Sequence, residues 1–594
     1  MHSYIFDIET RGFLDGLSNP DDLFIITAIN LDTGERLAAR PHECEALARE
    51  LYGAKSLIGH NIFGFDLPAL QKCLGWWDRL EDPRDVDTMI NTRLIWSHLK
   101  ELDFARLEGN PDYIPKNLIG SHSLKAWGLR IGEHKDEYSG RFDEFSEEMF
   151  SYAQQDVETT LALHEHCMAQ KYSASALDLE QSVARLMARQ ERTGFCFDEQ
   201  SAEKLLRDLM AEQAEVHERL QAAFPPWEIK TPFLPKANNK TRGYVKGEWT
   251  YKTKEAVFNP SSRDHIADRL MTLHGWKPKE MTASGKAKVD ETILEALPYP
   301  EAKLLALNFT LDKRLGQLAN GPQAWLKKVK KNGKIHGRVI TNGAVTGRAT
   351  HSQPNLGQIP GNRAPFGERC RGLFVAPPDR VLVGSDASGL ELRCLAHFCA
   401  RYDEGQYADI VLNGDIHTAN QHAAGLPSRD QAKTFIYALL YGAGNGKIGS
   451  IIGKGPKIGK ALKDTFFEKI PAIAKVSGAV TARSIRDGFL KGLDDRLLHI
   501  RSPHAALNTL LQSAGALVCK QWLLEMDRLF QERKLDVQFH AWVHDEVQLS
   551  CPPDEAQAVG QACQDAMRVV QDHFKFRCQL DTDFNVGKSW SETH

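Results

Sequence analysis

No stretch of the chain approaches the roughly 18 consecutive apolar residues of a membrane-spanning helix, so a membrane protein is not expected. The eleven cysteines are scattered and form no CxxC pair. That argues against a zinc ribbon or a disulfide framework and for buried or free thiols in a reducing cytoplasm. The opening MHSYIFDIET has no basic n-region and carries acids at Asp7 and Glu9, unlike a signal peptide. Net charge is scarce as well, −4 in 594 residues, which as a sum gives no reason to expect nucleic-acid binding. There is no internal repeat and no low-complexity tract.

What is present is material for several domains. At about 150 residues per domain the length predicts roughly four. Hydrophobic residues at 42% and charged residues at 26% are the balance of a soluble globular chain. The charge is unevenly placed. Glu228 to Glu255 holds seven Lys or Arg against three Glu, and Lys313 to Arg338 holds eight with no acid. A near-neutral total with basic middle segments implies acidic sites elsewhere, able to bind metal.

The opening third reads as α/β, with SYIFDIET and DLFIITAINLD as strands of a meander. Residues 173–224 read as helical, with Gly194 as a C-cap. Residues 225–257, crowded with Pro, Gly and Lys, read as a long surface loop or small appendage. A strand-rich stretch brackets Arg380 to Ser388, helical patterns dominate 389–530, HAWVHDEVQLSCP reads as a strand hairpin, and a last helix is expected over 553–574.

Two carboxylate clusters stand out. In YIFDIET, Asp7 and Glu9 at i and i+2 share one face of a strand while Phe6 and Ile8 face the core. Alone, this fits an edge strand with a wet face as well as a cation site. NIFGFD adds Asn61, Phe65 and Asp66 at a helix start, and YAQQDVETT adds Tyr152 and Asp156 one helical turn apart. Four acids from three segments, with a tyrosine to orient a water, suit two-metal hydrolysis. This resembles the tyrosine-bearing branch of the DEDD 3′–5′ exonucleases.

Downstream, VLVGSDASGLELR puts Asp386 at the end of an apolar strand. AWVHDEVQLS puts Asp545 and Glu546 at a hairpin, a position that by itself also suits a plain polar turn. Between them Arg429, Lys433, Tyr437 and Tyr441 recur every four residues and form one slowly winding helical stripe. An amphipathic helix with a basic end would look the same. Two cations followed by two aromatics also match a nucleoside triphosphate. Gly442 behind Tyr441 points to a base or backbone in close approach.

Together, DASGLELR, the Arg429–Tyr441 stripe and VHDE resemble motifs A, B and C of the A-family DNA polymerases, within their T-seven-like phage branch. NGDIHT, TGRATHSQPNLGQIP and SPHAALNTLLQSAGA strengthen the match. The resemblance implies a multidomain α/β and α+β chain: an RNase H-like exonuclease domain at 1–170, then a right-hand polymerase. Its thumb would span 171–335, with the basic loop at 225–257. The palm would comprise 336–398 and 508–594, and the fingers 399–507.

The family roles carry over residue by residue. Asp386, Asp545 and the Ala387 carbonyl would bind two Mg²⁺ ions, with Mn²⁺ as a substitute, and Glu546 would support them. Asp7, Glu9, Asp66 and Asp156 would bind the exonuclease pair. His417, Arg429 and Lys433 would hold the triphosphate, with Lys433 as proton donor to pyrophosphate. Tyr437 would lie beside the sugar. Glu391 would close off the 2′ position and bond Tyr441. Arg348, His504, Asn508, Gln512 and His544 would contact primer–template DNA, several in the minor groove, where the acceptors are nearly alike for every base pair. Two other readings fit the family with less: an exonuclease with a vestigial polymerase half, or a non-catalytic DNA-binding scaffold. Both predict broken carboxylate sets, and these sets are complete. The implied setting is phage genome replication in the host bacterial cytoplasm, with dNTPs as substrates and a helicase–primase as a candidate partner. The phage relative binds host thioredoxin through a long thumb insert. The segment here is much shorter, which argues against thioredoxin.

Overall fold

A computed structural model of the chain describes residues 1–133, 138 and 140–594. The chain divides into two compact units. The first comprises Met1–Phe195, His336–Gln358 and Ala376–His594; the second comprises Cys196–Ile335 and Ile359–Val375. The second unit therefore starts later than the 171–335 span read from sequence. Helix Ala174–Thr193 buries Leu179, Val183, Leu186 and Met187 in the main core of the first unit, which keeps it there. Gly194 ends that helix with φ of 66°, and a Cβ at this position would meet the His336 imidazole at 2.7 Å.

The first unit opens with a five-stranded sheet in the order Arg36–Ala39, Leu23–Asn30, Ser3–Thr10, Ser56–Gly59, Val86–Asp87. Among the first three strands each is antiparallel to its neighbour, and the last two run parallel to Ser3–Thr10. Leu23–Asn30 is buried throughout, as expected for a strand covered on both faces. Helix Glu147–Ala169 covers one face through a cluster of Ile5, Ile29, Ile58 and Val157. Phe6, Ile8 and Ile26 join Leu67 and Leu70 on the other.

A four-stranded antiparallel sheet in the same unit runs Gln538–Val543, Glu546–Cys551, Val381–Ala387, Thr582–Gly587. Helices Ala506–Glu532 and Ala556–His573 pack into the large core it shares, around Trp522, Val547, Leu549 and Met567. The ten buried cysteines, among them Cys394, Cys519 and Cys563, are packing residues and form no disulfide.

In the second unit, helices Glu199–Ala223 and Pro300–Leu315 pack together. The 225–257 segment is a small appendage and not a long surface loop. It is an antiparallel hairpin of Trp227–Phe233 and Thr250–Ala256 with an irregular tip. Trp227 anchors it, with the Arg269 guanidinium 4.0 Å from its ring centroid and the His265 ring 5.1 Å away. Pro235, Gly243 and Gly247 lie in the tip while Pro225, Pro226 and Pro232 precede or interrupt the first strand, and the short strands carry too few buried residues to show a period.

Candidate active sites

Strand Ser3–Thr10 decides the first site. Ile5 points at Val157 on helix Glu147–Ala169, and strand alternation puts Asp7 and Glu9 on the same face. Asp156, beside Val157, meets them there. Ligand-capable atoms of Asp7, Glu9 and Asp156 all lie within 4.8 Å of one another. Tyr152 sits one turn earlier on that helix, its ring 5.7 Å from Tyr138. Three carboxylates this close repel unless a cation lies between them, so the donor set fits a hard divalent ion.

Asp66 is not one of those three, and it meets the same strand at Ile8, between Asp7 and Glu9. It is the first residue of helix Asp66–Leu74, buried, and hydrogen-bonded by the Ile8 backbone. Burial, reinforced by the negative charge of Asp87, pushes its carboxyl up to about 7. Asp87 escaped the sequence reading. It caps helix Thr88–Ile95 and accepts from the backbone of Asn61 at 2.8 Å and Met89 at 2.9 Å. The DVDT pattern is an N-cap signal that would have found it. Asn61 takes a left-handed φ of 69°, and its side-chain oxygen accepts from Arg338 at 3.0 Å.

At the second site Asp386 ends strand Val381–Ala387, in register with Glu546 on one neighbour and Asp583 on the other. The Ala387 N–H donates to the Asp545 carbonyl at 3.0 Å, so both acids sit at one corner of the sheet. Partial desolvation and the charges of Asp545, Glu546 and Asp583 push the Asp386 carboxyl up to about 7, although its side chain still reaches solvent. Burial and Glu391 raise Asp545. This crowd of like charge also fits a divalent cation. Glu546 is held by Gln548 at 2.9 Å, by the Trp590 indole N–H and by His594 at 2.9 Å. Asp583, also missed from sequence, accepts from the Ser388 hydroxyl at 3.1 Å.

The hairpin turn puts His544 at φ of 60°, where two-residue turns ordinarily place Gly or Asn. Trp542 steadies it by donating to the His544 carbonyl at 3.0 Å. A cavity of about 260 Å³ opens beside Asp545, lined by Arg348, Glu391, Tyr441, Cys519 and His544 among others. Tyr441 donates to Glu391 at 3.1 Å, and Arg348 lies 3.4 Å from the same carboxylate oxygen.

Helix Arg429–Leu440 carries the stripe, and Tyr441 is its C-cap. Lys433 is exposed and Tyr437 half-buried, with the rings of Tyr437 and Tyr441 stacked 6.4 Å apart. Arg429 pairs with Asp415 at 2.8 Å. Asp415 caps helix Ile416–Ala424, and the Arg429 guanidinium with the Thr418 hydroxyl holds its carboxyl well below the usual range. The His417 ring lies 6.4 Å from Tyr437. Burial, with Arg429 and Lys433 nearby, lowers its pKa. Gly442 has φ of 74°, and a Cβ there would meet the His504 carbonyl at 3.1 Å. The close approach expected at Gly442 is therefore made by backbone.

The five expected DNA contacts fall in three depressions. Arg348 and His544 line the cavity beside Asp545. Asn508 and Gln512, bonded to each other at 2.9 Å, line a second with Thr346 and His499. His504 lines a third with Gly442.

Carboxylates at one sheet corner, beside a cavity and a helix that carries Arg429 and Lys433, are a chemistry suited to metal-assisted phosphoryl transfer. Residues 237–592 match the model of DNA polymerase family A. The chain is 39% identical to the DNA-directed DNA polymerase of Escherichia phage T7, over 99% of this chain and 100% of the relative. It is 40% identical to that of Enterobacteria phage T3, over 94% and 96%. The alignment with the first is longer than this chain, 708 positions against 594 residues, so that relative carries segments without counterpart here. Among solved structures, the POL domain of Pol1 from M. smegmatis, in complex with DNA primer–template and dNTP, shares the fold. Its TM-score is 0.74 at 17% identity, over 99% of this chain and 96% of that one. The chain belongs to DNA polymerase family A and is a template-directed DNA polymerase of the phage T7-like kind. Among the described residues no helix is long and apolar enough to cross a membrane.

Proposed function

We propose that the chain replicates a phage genome with two active sites, a polymerase centred on Asp386 and Asp545 and a 3′–5′ proofreading exonuclease centred on Asp7, Glu9, Asp66 and Asp156. The observation that carries the exonuclease site is the approach of Asp7, Glu9 and Asp156 to within 4.8 Å. The polymerase site rests on two carboxylates at one sheet corner beside the Arg348–Glu391–Tyr441 cavity.

Asp386, Asp545 and the Ala387 carbonyl would hold two Mg²⁺ ions, as would the four exonuclease acids. When bound, such ions neutralise charge developing on the transferred phosphoryl group. The protein's own groups do the rest. His417, Arg429 and Lys433 grip the triphosphate, with Arg429 exchanging Asp415 for phosphate oxygens. Lys433 donates a proton to departing pyrophosphate. Tyr437 flanks the sugar, and Glu391, held by Tyr441, fills the space a 2′ hydroxyl would need. Arg348, His504, Asn508, Gln512 and His544 hold the primer–template. At the exonuclease site Tyr152 orients the attacking water. In this reading the second unit serves as thumb, the sheet around Asp386 as palm and the helices of 399–507 as fingers. A helicase–primase is the expected replication partner in the host cytoplasm.

A primer with a mismatched 3′ end, annealed to template and given Mg²⁺ and dNTPs, tests both sites. Trimming followed by extension is expected. Extension without trimming would remove the exonuclease, and neither reaction would leave a DNA-binding scaffold.

A further inference from the structure

Next in the chain to Cys519, which lines the cavity beside Asp545, Lys520 belongs to a buried cluster of two cations and two anions with Arg496, Glu180 and Asp494. Arg496 donates to Glu180 and to Asp494, each at 2.7 Å. Lys520 donates to the same Glu180 oxygen and, at 2.7 Å, to the carbonyl of Gly347. Taking an ion out of water costs about several kcal/mol, and apolar residues of equal volume often serve stability as well or better. Stability is thus a poor explanation for the cluster. Its geometric product is a fixed loop.

That loop runs from Asn342 to Arg348. It closes on itself, the Gly347 N–H donating to the Ala344 carbonyl at 2.8 Å and the Ala344 N–H to the Arg348 carbonyl at 3.2 Å. Asn342 ties it down, accepting from Arg496 at 3.3 Å and donating to the Arg93 carbonyl at 2.8 Å. Gly347 is left-handed at φ +79°, and a Cβ there would meet the Arg496 guanidinium at 2.9 Å. Only glycine lets the cluster come this close. The Gly347 carbonyl and the Arg348 nitrogen belong to one planar peptide, so the bond from Lys520 sets the direction in which the Arg348 side chain leaves the backbone. Arg348 reaches the Glu391 oxygen that also receives Tyr441. Cys519, the residue before Lys520 on helix Ala506–Glu532, lines the same cavity.

We propose that Lys520, pinned by Glu180, is a positioning residue of the polymerase site: it fixes the Gly347–Arg348 peptide and so aims Arg348 at Glu391. This rests on the assignment of the polymerase site to Asp386 and Asp545. Burial lowers the Lys520 ammonium to about 8, with Glu180 opposing the shift.

The test is a double-mutant cycle read as kcat/KM for single-nucleotide extension, with Lys520→Met, Arg348→Ala and the pair. Misaiming a substrate-facing group by about 1 Å costs up to about 100-fold, so Lys520→Met should lose about 10- to 100-fold. If Lys520 acts through Arg348, the pair should be no worse than Arg348→Ala alone. Losses that multiply, or a Lys520→Met protein that extends like the parent, would overturn the proposal. If Lys520→Met lacks the parent's melting transition, Glu180→Gln, which keeps the volume and removes the pinning charge, takes its place under the same criterion. Asp386→Ala in parallel separates the two ideas. Residual extension there removes the site assignment, whereas multiplicative losses with Asp386→Ala inert remove only the positioning role.

Discussion

The Arg338 guanidinium donates to the side-chain oxygen of Asn61 at 3.0 Å, joining strand Arg338–Ile340 to the loop that leads into Asp66. Gly64 makes room for the pair, since a Cβ there would lie 2.7 Å from the Asn61 oxygen and 3.3 Å from Arg338. A hydrogen bond to a charged group contributes about 1.5–3 kcal/mol. Arg338→Ala should therefore slow 3′ trimming of single-stranded DNA by about tenfold or more and leave primer extension near the parent rate. Unchanged trimming would mean that the Asn61 loop holds its shape without Arg338.

The two carboxylate sets are built around different sheets and share no residue, so their activities should separate. Asp386→Ala or Asp545→Ala should abolish extension while trimming persists, because each acid holds cations that contribute several kcal/mol of transition-state stabilisation. Asp7→Ala with Glu9→Ala should do the reverse. Primer extension and 3′ trimming measured on all variants at saturating Mg²⁺ check this. A folded double variant that has lost extension would refute the separation.

The hairpin tip carries Lys236, Lys240, Arg242 and Lys246, all exposed, and no ion pair among the described residues uses them. Replacing the four with Ala should weaken primer–template binding and flatten the dependence of log K on log salt, by up to about one unit for each lost phosphate contact. An identical slope would show that the hairpin faces away from DNA. Thioredoxin added to the parent protein should neither bind in a pull-down nor lengthen the products.

Tyr437 should make the enzyme accept dideoxynucleotides. It lies one turn beyond Lys433, so a triphosphate held by Lys433 brings the sugar's 3′ carbon to the phenol. The hydroxyl can then donate the hydrogen bond that a missing 3′ hydroxyl would make to the phosphates. Tyr437→Phe removes that donor. At about 1.5–3 kcal/mol for such a bond, discrimination against ddNTPs should rise at least about tenfold, with dNTP incorporation little changed. The readout is the ratio of kcat/KM for dNTP and ddNTP on one template. Equal ratios in the two proteins would mean that Tyr437 does not face the sugar.

Local pattern was enough to read much of this molecule. Alternation in YIFDIET placed Asp7 and Glu9 on one face because a strand turns its side chains over every second residue. The four-residue spacing from Arg429 to Tyr441 marked a helix for the matching reason. Gly194 announced the end of its helix. Other features depended on which segments meet in space. Asp66 meets the backbone of Ile8, between Asp7 and Glu9, with Asp87 close by, and nothing in NIFGFD encodes that neighbour. Asp415 pairs with Arg429 across a helix junction, and Asp583 comes into register with Asp386 across a strand pair from a distant segment of the chain. The 225–257 segment read as loop because its strands bury almost nothing, so their alternation leaves no hydrophobic trace. Lys520 has nothing in its own segment to single it out among the polar residues of helix Ala506–Glu532. Glu180 and Arg496 reach it from elements far away in sequence, and the desolvation that gives their meeting its consequence exists only once the core has closed.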